Sequence, residues 1–478
     1  MPIREVDVAI IGAGTAGMGA FSAARKHTNN LVLIEGGPYG TTCARVGCMP
    51  SKLLIAAAEA AEAVRTAAGF GVHVAPPRID GAEVMARIGR ERDRFVSFVL
   101  DAVEAIDPAQ RLKGCARFEG PHTLQLDTGE TLHAARIVVA TGSVPVRPKA
   151  FDAVGNRLIV NDDVFNWTDL PKAVAVFGGG VLGLEIAQAL HRLGVRVRLF
   201  GKGGSVGQLS DPAVRKAAAA AIGADLPFDP DADVQNIARE GDEVIVRFTE
   251  AGECREERFD WLLAATGRQP VLDGLNLVAS GLTLDDRGMP QVDPLTMQAE
   301  AGHIFFAGDV AARIPLLHEA ADDGRIAGDN AGRFPETLTH SRRTPLAIAF
   351  TDPNIATVGA SFAELTDACC DFAIGEVDFS NQGRARVLRQ NRGLLRLYAE
   401  RGTGRLLGAE MAAPRAEHLA HLLAWAIQSG IDVETALAMP FYHPVIEEGL
   451  RTALRDLSLN LGRQSDNPPC SIDCGPGA

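Results

Sequence analysis

The chain has 478 residues, 46% hydrophobic and 22% charged, with 50 glycines, which is too long for one hydrophobic core and points to about three domains. A formal net charge of −13 argues against a nucleic-acid or anionic-membrane surface, and no apolar run approaches the length of a membrane span. Eight cysteines are too few for a disulfide scaffold, so any disulfide is expected to be catalytic rather than structural.

The first strand-like run, Val6–Ile11, starts too near Met1 to leave room for a signal or transit peptide, and a soluble, cytoplasmic protein is expected. That run ends in Gly12-Ala-Gly14-Thr-Ala-Gly17, followed by an Ala-rich helical stretch and the strand Leu31–Glu35. Strand, phosphate-binding turn, helix and a strand closing on an acid make a dinucleotide-binding unit. Next comes Gly40-Thr-Thr42-Cys43-Ala-Arg45-Val-Gly-Cys48-Met-Pro-Ser-Lys52. A cysteine pair just behind a bound flavin can exchange electrons as disulfide and dithiol. Zinc is the alternative, but structural zinc needs four ligands and no second Cys/His pair stands nearby in sequence, so a redox disulfide is favoured and no metal site is expected.

A helix is expected from Ser51 to Ala68 and a long amphipathic one from about Gly81 to Ile106, the latter a packing element. Short alternating strands run to Ala140, and Thr141-Gly142 makes a strand-end turn of the kind that approaches a cofactor. The glycine unit then recurs as Ala173–Phe177, Gly178-Gly-Gly180-Val-Leu-Gly183, a helix through Leu193 and the strand Val195–Phe200. Two such fingerprints in full strand–helix–strand context imply two nucleotide sites. Ala265-Thr-Gly267-Arg268 repeats the strand-end turn. After Pro335 the pattern changes to alternating strands and then helices, so a separate domain begins near Leu338. Beyond Leu461 the chain is polar and rich in Pro and Gly, the composition of a flexible tail.

The two nucleotide units differ in one respect. Glu35 lies 23 residues after Gly12, whereas the residue 23 after Gly178 is Gly201. An acid there bonds the ribose hydroxyls of an unphosphorylated dinucleotide, a role Glu35 fits for the adenosine ribose of FAD. Gly201 cannot play it, and Lys202, Arg196 and Arg198 are at hand for a 2′-phosphate. NADPH is therefore favoured over NADH; the alternative is that these bases are solvated surface residues and Gly201 only turns the chain.

In these residues the chain resembles the class I pyridine nucleotide-disulfide oxidoreductases, the group of dihydrolipoyl dehydrogenase, glutathione reductase and mercuric reductase, over nearly its whole length from Val6 to about Leu461. The resemblance implies an α/β fold of two Rossmann-like dinucleotide-binding domains, for FAD and NAD(P), plus an α+β C-terminal dimerisation domain. The expected boundaries are 1–150 with 270–337 for FAD, 151–269 for NAD(P), 338–463 for the dimer interface and 464–478 for a cysteine-containing tail. It implies Cys48 as the thiol facing the flavin, Cys43 as the interchange thiol, and Lys52 near the flavin, paired with Glu185. Thr42 and Lys52 join Gly12, Gly14, Gly17, Glu35, Thr141 and Gly142 as FAD-binding residues. Asp309, in His303-Ile-Phe-Phe-Ala-Gly-Asp309, would hold the ribityl chain, and His318, in Leu316-Leu-His318-Glu-Ala320, would face the pyrimidine ring. Gly178, Gly180, Gly183, Lys202 and Gly267 would hold the nicotinamide nucleotide. His443 with Glu448 resembles the acid–base dyad that serves the partner subunit's cysteines, which implies a homodimer. The dyad also makes chemical sense unaided, because dithiol exchange needs a base to form the thiolate and an acid for the leaving thiol, and a carboxylate fixes the imidazole tautomer.

Three features depart from the family pattern. Arg45 stands where relatives mostly carry asparagine; a cation there would stabilise a thiolate, or else pair with a surface acid. Phe441 replaces a histidine found in many dihydrolipoyl dehydrogenases, which weakens a lipoamide assignment. The tail Pro468-Pro-Cys470-Ser-Ile-Asp-Cys474 resembles in position the C-terminal cysteine pairs of mercuric reductases and larger thioredoxin reductases; a mobile electron relay and a dispensable end are equal readings. Cys115, Cys254 and the Cys369-Cys370 pair are expected to be structural.

The expected function is an FAD-dependent dithiol/disulfide oxidoreductase of dihydrolipoyl dehydrogenase type, acting between NAD(P)H, FAD, Cys43–Cys48 and a thiol/disulfide small molecule. The alternative is an NADPH-dependent reductase working through Cys470 and Cys474 on a thioredoxin-like protein, a low-molecular-weight disulfide or mercuric ion. A non-catalytic flavoprotein is the outside alternative.

Overall fold

The computed structural model describes residues 3–300 and 302–463, so Cys470 and Cys474 lie outside the described residues. Two compact units emerge. One comprises the chain up to Leu53, Met85–Val146 and Gly267–Arg342; the other comprises Leu54–Val84, Arg147–Thr266 and the chain from Arg343 onward.

The first unit is built around β1 (Arg4–Ile11), in which Val6, Val8, Ala9, Ile10 and Ile11 are all buried. Such a near-continuous apolar run suits a parallel strand covered on both faces. β1 pairs in parallel with β2 (Leu31–Glu35) on one side and with Thr131–Val139 on the other, and Ile304–Phe306 joins Thr131–Val139 in parallel. The register sets Ile11 opposite Val139 and Val139 opposite Phe306. The turns that follow all three strands therefore leave the same edge of the sheet, where open α/β sheets bind ligands. Helix α1 (Thr15–Ala24) lies tightly against the helix Leu317–Arg333. A Cβ on Gly324 would stand 2.1 Å from the Ala16 carbonyl oxygen and one on Gly328 2.2 Å from that of Ala20, so this contact demands glycine.

The second unit holds three sheets built around two separate cores. One is parallel, in the order Phe228–Asp229, Arg196–Phe200, Ala173–Phe177, Trp261–Ala264, Leu158–Ile159, with the helix Val181–Arg192 following the second glycine turn. A three-stranded antiparallel sheet, Asp233–Glu240, Glu243–Glu250 and Glu253–Phe259, accompanies it. The other core lies under a five-stranded antiparallel sheet covered by the helices Ala416–Gln428 and Glu448–Asn460. Two Rossmann-like sheets and an α+β C-terminal part are the fold the sequence implies.

Boundaries shift in detail. Helix α3 runs Cys48–Thr66 and α4 runs Gly81–Glu104. Residues 54–84, expected with the FAD domain, belong to the second unit. Ile55 and Ala58 line a small pocket with Gln188 and Phe350, and the Arg389 guanidinium donates to the Gly69 carbonyl at 2.7 Å. Packing partners from distant sequence decide that allocation. Among the described residues no helix is long and apolar enough to cross a membrane.

Candidate active site

At the C-terminal end of β1 the chain turns on Gly12, whose φ is +108° and whose added Cβ would stand 2.3 Å from the Ala140 carbonyl oxygen. Gly17 is equally constrained, since its Cβ would meet the Gly12 carbonyl oxygen at 1.7 Å. Gly14, between them, has no atom within 4 Å of an added Cβ. Its freedom from neighbours leaves an open cradle at the start of α1, as a pyrophosphate requires. Glu35 closes β2 and braces the turn: its carboxylate accepts the Ala13 N–H and the Gly37 N–H, each at 2.7 Å.

The neighbouring strand ends supply Thr141, whose hydroxyl donates to the Val271 carbonyl at 2.7 Å, and Gly142 with φ +73°. Asp309 follows the strand Ile304–Phe306 and accepts the Ser143 hydroxyl at 2.5 Å. Arg268 clamps the same serine, donating to its hydroxyl at 2.8 Å and its carbonyl at 2.7 Å. The sequence did not single out Ser143, although it directly follows Thr141-Gly142. Also unanticipated is Asp323, which accepts the Gly308 N–H at 3.2 Å and pairs with Arg342 at 2.6 Å. Burial pushes the Asp323 carboxyl up, and Arg342 beside it only partly offsets this. His318 is exposed at the start of the Leu317–Arg333 helix, 3.9 Å from Glu319. An open glycine cradle, a carboxylate at the end of β2 and Asp309 on the adjoining edge fit an FAD.

The cysteines belong to the same unit. Cys43 sits in α2 (Thr42–Val46), a short helix whose N-cap Thr41 has φ +53° and accepts the Ala44 N–H at 3.3 Å; Thr42 is exposed. Gly47 then lets the chain fold back to start α3 at Cys48. Any Cβ there would stand 3.1 Å from both the Cys43 Cα and the Thr42 carbonyl oxygen. Cys43 is half-buried and Cys48 exposed. A hydrogen bond with Cys48, then burial, drives the Cys43 thiol above the ordinary thiol range, and the charge of Lys52 draws it back only in part. Lys52 lies one turn along α3, its ammonium 3.4 Å from the Ser51 hydroxyl. Arg45 directs its guanidinium to the Pro38 carbonyl at 3.2 Å.

The second glycine turn repeats the steric design of the first. Gly178 has φ +121° and would drive a Cβ to 2.2 Å from the Ala265 carbonyl oxygen; Gly183 would meet the Gly178 carbonyl oxygen at 1.9 Å; Gly180 is open. Buried Glu185 accepts the Phe350 N–H at 2.8 Å. It belongs to the second unit and Lys52 to the first. Gly267, with φ +112°, begins the last segment of the first unit.

Of the bases near Gly201, two are already engaged. Arg196 pairs with Glu257 at 3.1 Å, and Arg198 with Glu250 and Glu257 at 2.8 Å each. Gly201 itself has a steric cause, because a Cβ there would stand 2.5 Å from the Pro230 carbonyl oxygen. The sequence counted three cations for a 2′-phosphate; only exposed Lys202 is uncommitted to these pairs.

His443 and Glu448 meet as expected: Nδ1 lies 3.0 and 3.1 Å from the two carboxylate oxygens. The Val445 N–H holds the same carboxylate at 3.1 Å and Arg451 stands 3.6 Å away. The Glu448 side chain is 4% exposed and that of His443 52%, so a buried anchor orients a ring that remains accessible. Arg451 was not foreseen, though its place three residues along the helix from Glu448 is a sequence signal. Its guanidinium lies over the Phe441 ring, 5.9 Å from the centroid.

Comparison with known proteins shows the family. Residues 6–324 match the pyridine nucleotide-disulphide oxidoreductase family and residues 346–454 its dimerisation domain. A dihydrolipoyl dehydrogenase from Haloferax volcanii is 31% identical over 462 residues, 94% of this chain and 95% of that one. A mercuric reductase from Streptomyces lividans is 31% identical over 478 residues, 96% and 98% of the two chains. Two solved structures share the fold: LpdA from Mycobacterium tuberculosis, with TM-score 0.79, 24% identity and coverage of 95% and 99%, and the flavoprotein disulfide reductase RclA from Escherichia coli in its Cu(II) complex, with TM-score 0.78, 23% identity and coverage of 94% and 99%.

Proposed function

Since this chain belongs to the pyridine nucleotide-disulphide oxidoreductase family and is an FAD-dependent disulfide oxidoreductase, we propose that it acts as a dihydrolipoyl dehydrogenase-like enzyme on a small thiol/disulfide substrate. The observation that carries this is the hydrogen-bonded Cys43–Cys48 pair, brought together across Gly47 in the unit that also bears the first glycine turn. Gly12, Gly14, Gly17, Glu35, Thr42, Lys52, Thr141, Gly142, Asp309 and His318 would hold FAD, which supplies two-electron exchange between a nicotinamide and a dithiol. Gly178, Gly180, Gly183, Lys202 and Gly267 would hold the nicotinamide nucleotide. The lean to NADPH now rests on Lys202 and on the missing acid at Gly201.

A thiol held protonated is a poor nucleophile, and Cys43 is held so by Cys48 and by burial. Chemistry at Cys43 therefore needs a base, and His443, fixed by Glu448 and supplied across a homodimer by the other subunit, fits that need. In the reductive direction the imidazole takes the Cys43 proton. Cys43 attacks the substrate disulfide, one S–S bond breaks as a mixed disulfide forms, and the released thiolate takes the proton back from His443. Cys48 then gives up its proton and attacks Cys43, closing the Cys43–Cys48 disulfide, and the second substrate sulfur leaves as a thiolate that takes up a proton in turn. Oxidation of a dithiol substrate is the reverse sequence.

A second reading, a reductase using Cys470 and Cys474 on a thioredoxin-like protein, a low-molecular-weight disulfide or mercuric ion, is favoured by the 31% identity to mercuric reductase. The test is anaerobic stopped-flow reduction of the holoenzyme by NADPH and by NADH, followed by turnover with lipoamide. Cys48→Ser is expected to keep its flavin and lose disulfide reduction; unchanged turnover would sink the mechanism. Loss of turnover with a single substrate class in Cys470→Ser/Cys474→Ser would select the second reading.

A further inference from the structure

We propose that Cys369 and Cys370, far in sequence from the redox pair, form a second dithiol that binds a soft, two-coordinate metal ion of the Hg(II) type. The two lie at the end of the helix Phe362–Asp367, adjacent in the chain, with Cα atoms about 3.8 Å apart. Cys369 N–H donates to the Thr366 carbonyl at 3.0 Å and Cys370 N–H to the Leu365 carbonyl at 2.9 Å. That pattern closes a helix with a residue in the left-handed region, a position where glycine is favoured. Here Cys369 occupies it, with φ +51°.

Packing does not explain the choice. Cys369 is exposed and Cys370 only half-buried, whereas unpaired cysteine is ordinarily among the most buried residues. Stopping the helix does not explain it either, since glycine does so without strain. What remains distinctive is a pair of neighbouring, accessible thiols on a fixed loop. The loop is held by Arg401, whose N–H donates to the Asp371 carbonyl at 3.0 Å and whose guanidinium bonds the Asp371 carboxylate and the Phe372 carbonyl, each at 3.1 Å. Among the described residues no group of three or more His, Cys, Asp or Glu side chains could hold a metal. A tetrahedral zinc-type centre is therefore not built here. A soft ion content with two thiolates needs no further ligand. On binding, each thiol loses its proton to solvent and two sulfur–metal bonds form, with no change of oxidation state.

The test uses the full-length holoprotein carrying Cys43→Ser, Cys48→Ser, Cys470→Ser and Cys474→Ser, so that no other cysteine pair competes. It is titrated with inorganic Hg(II) in excess glutathione, which strips ions from isolated thiols, and bound metal is counted by native mass spectrometry. One Hg(II) per subunit is expected, with retention at least about tenfold weaker after either Cys369→Gly or Cys370→Ser. Cys369→Gly suits the left-handed backbone, so its thermal transition is expected at or above that of the parent and a loss of metal cannot be laid to misfolding. No retained Hg(II) in the parent would overturn the proposal. So would one Hg(II) surviving in both variants, or two ions in the parent falling to one in each variant, the signature of independent thiols.

Discussion

Substituting alanine at two glycines of the second turn separates fold from ligand binding. At Gly183 the new Cβ would stand 1.9 Å from the Gly178 carbonyl oxygen and 3.3 Å from the Ala265 Cβ, against a resting non-bonded separation of about 3.5 Å. Both obstructing groups are on the sheet side of the helix Val181–Arg192, so the helix must retreat by about 1.5 Å, an overpacking that costs about 3 kcal/mol. Such a loss lowers the melting temperature by about 3–5 °C. At Gly180 the backbone is extended with φ −75°, and nothing lies within 4 Å of the added Cβ. Gly180→Ala is therefore expected to melt like the parent. Under the proposed function its methyl group would instead occupy the space through which a dinucleotide pyrophosphate approaches the helix N-terminus. The KM for NAD(P)H should rise about 10- to 100-fold, equivalent to about 1.4–2.8 kcal/mol of binding. Flavin content and reduction by dithionite should stay as in the parent. Scanning calorimetry and initial-rate kinetics on the two variants decide the matter. An unchanged KM in Gly180→Ala, or an unchanged melting temperature in Gly183→Ala, would refute the assignment of one glycine to ligand approach and the other to packing.

Glu448→Gln keeps the shape of the buried anchor but removes the charge that holds the imidazole, so disulfide turnover should fall about 100-fold while reduction of the flavin by NAD(P)H is unaffected; equal turnover would exclude the dyad. Glu410 is fully buried and accepts the N–H groups of Ser210, Asp211 and Phe362 at 2.7, 2.8 and 2.9 Å. Glu410→Ala strands those donors and should cost about 3–5 kcal/mol in urea unfolding, with Glu410→Gln recovering part of it; a change below about 1 kcal/mol would show that the donors find other partners. Burial raises the Asp352 carboxyl, but Arg392 and Arg192, at 3.2 and 2.9 Å, overcome that and leave its pKa below the ordinary value. Its contribution to stability is then complete above the unfolded-state pKa of about 3.9 and is lost as pH falls through the lower folded value. Asp352→Asn should lower the melting temperature at pH 7 and flatten the acid limb of the stability curve; parallel curves for parent and variant would contradict this.

Both dinucleotide turns, the cysteine segment and the His443–Glu448 dyad were legible in the sequence because each is a short-range pattern. A parallel strand shows as a continuous apolar run, a tight turn as glycines at fixed spacing, and a helix-borne carboxylate as a residue five positions past its histidine. Groups whose partners come from distant parts of the chain were not legible. Gly201 is glycine because Pro230 crowds it, and Arg196 and Arg198 are drawn away by Glu250 and Glu257 from the neighbouring antiparallel sheet. Ser143, clamped by Arg268 and bonded to Asp309, joins residues 125 and 166 positions apart. The sequence by itself determined the kind of chemistry, since reactive groups and glycine spacings are written locally. Tertiary structure alone decided which charges are still available to a ligand and which side chains are buried beside one another, because burial and pairing depend on what the folded chain brings alongside.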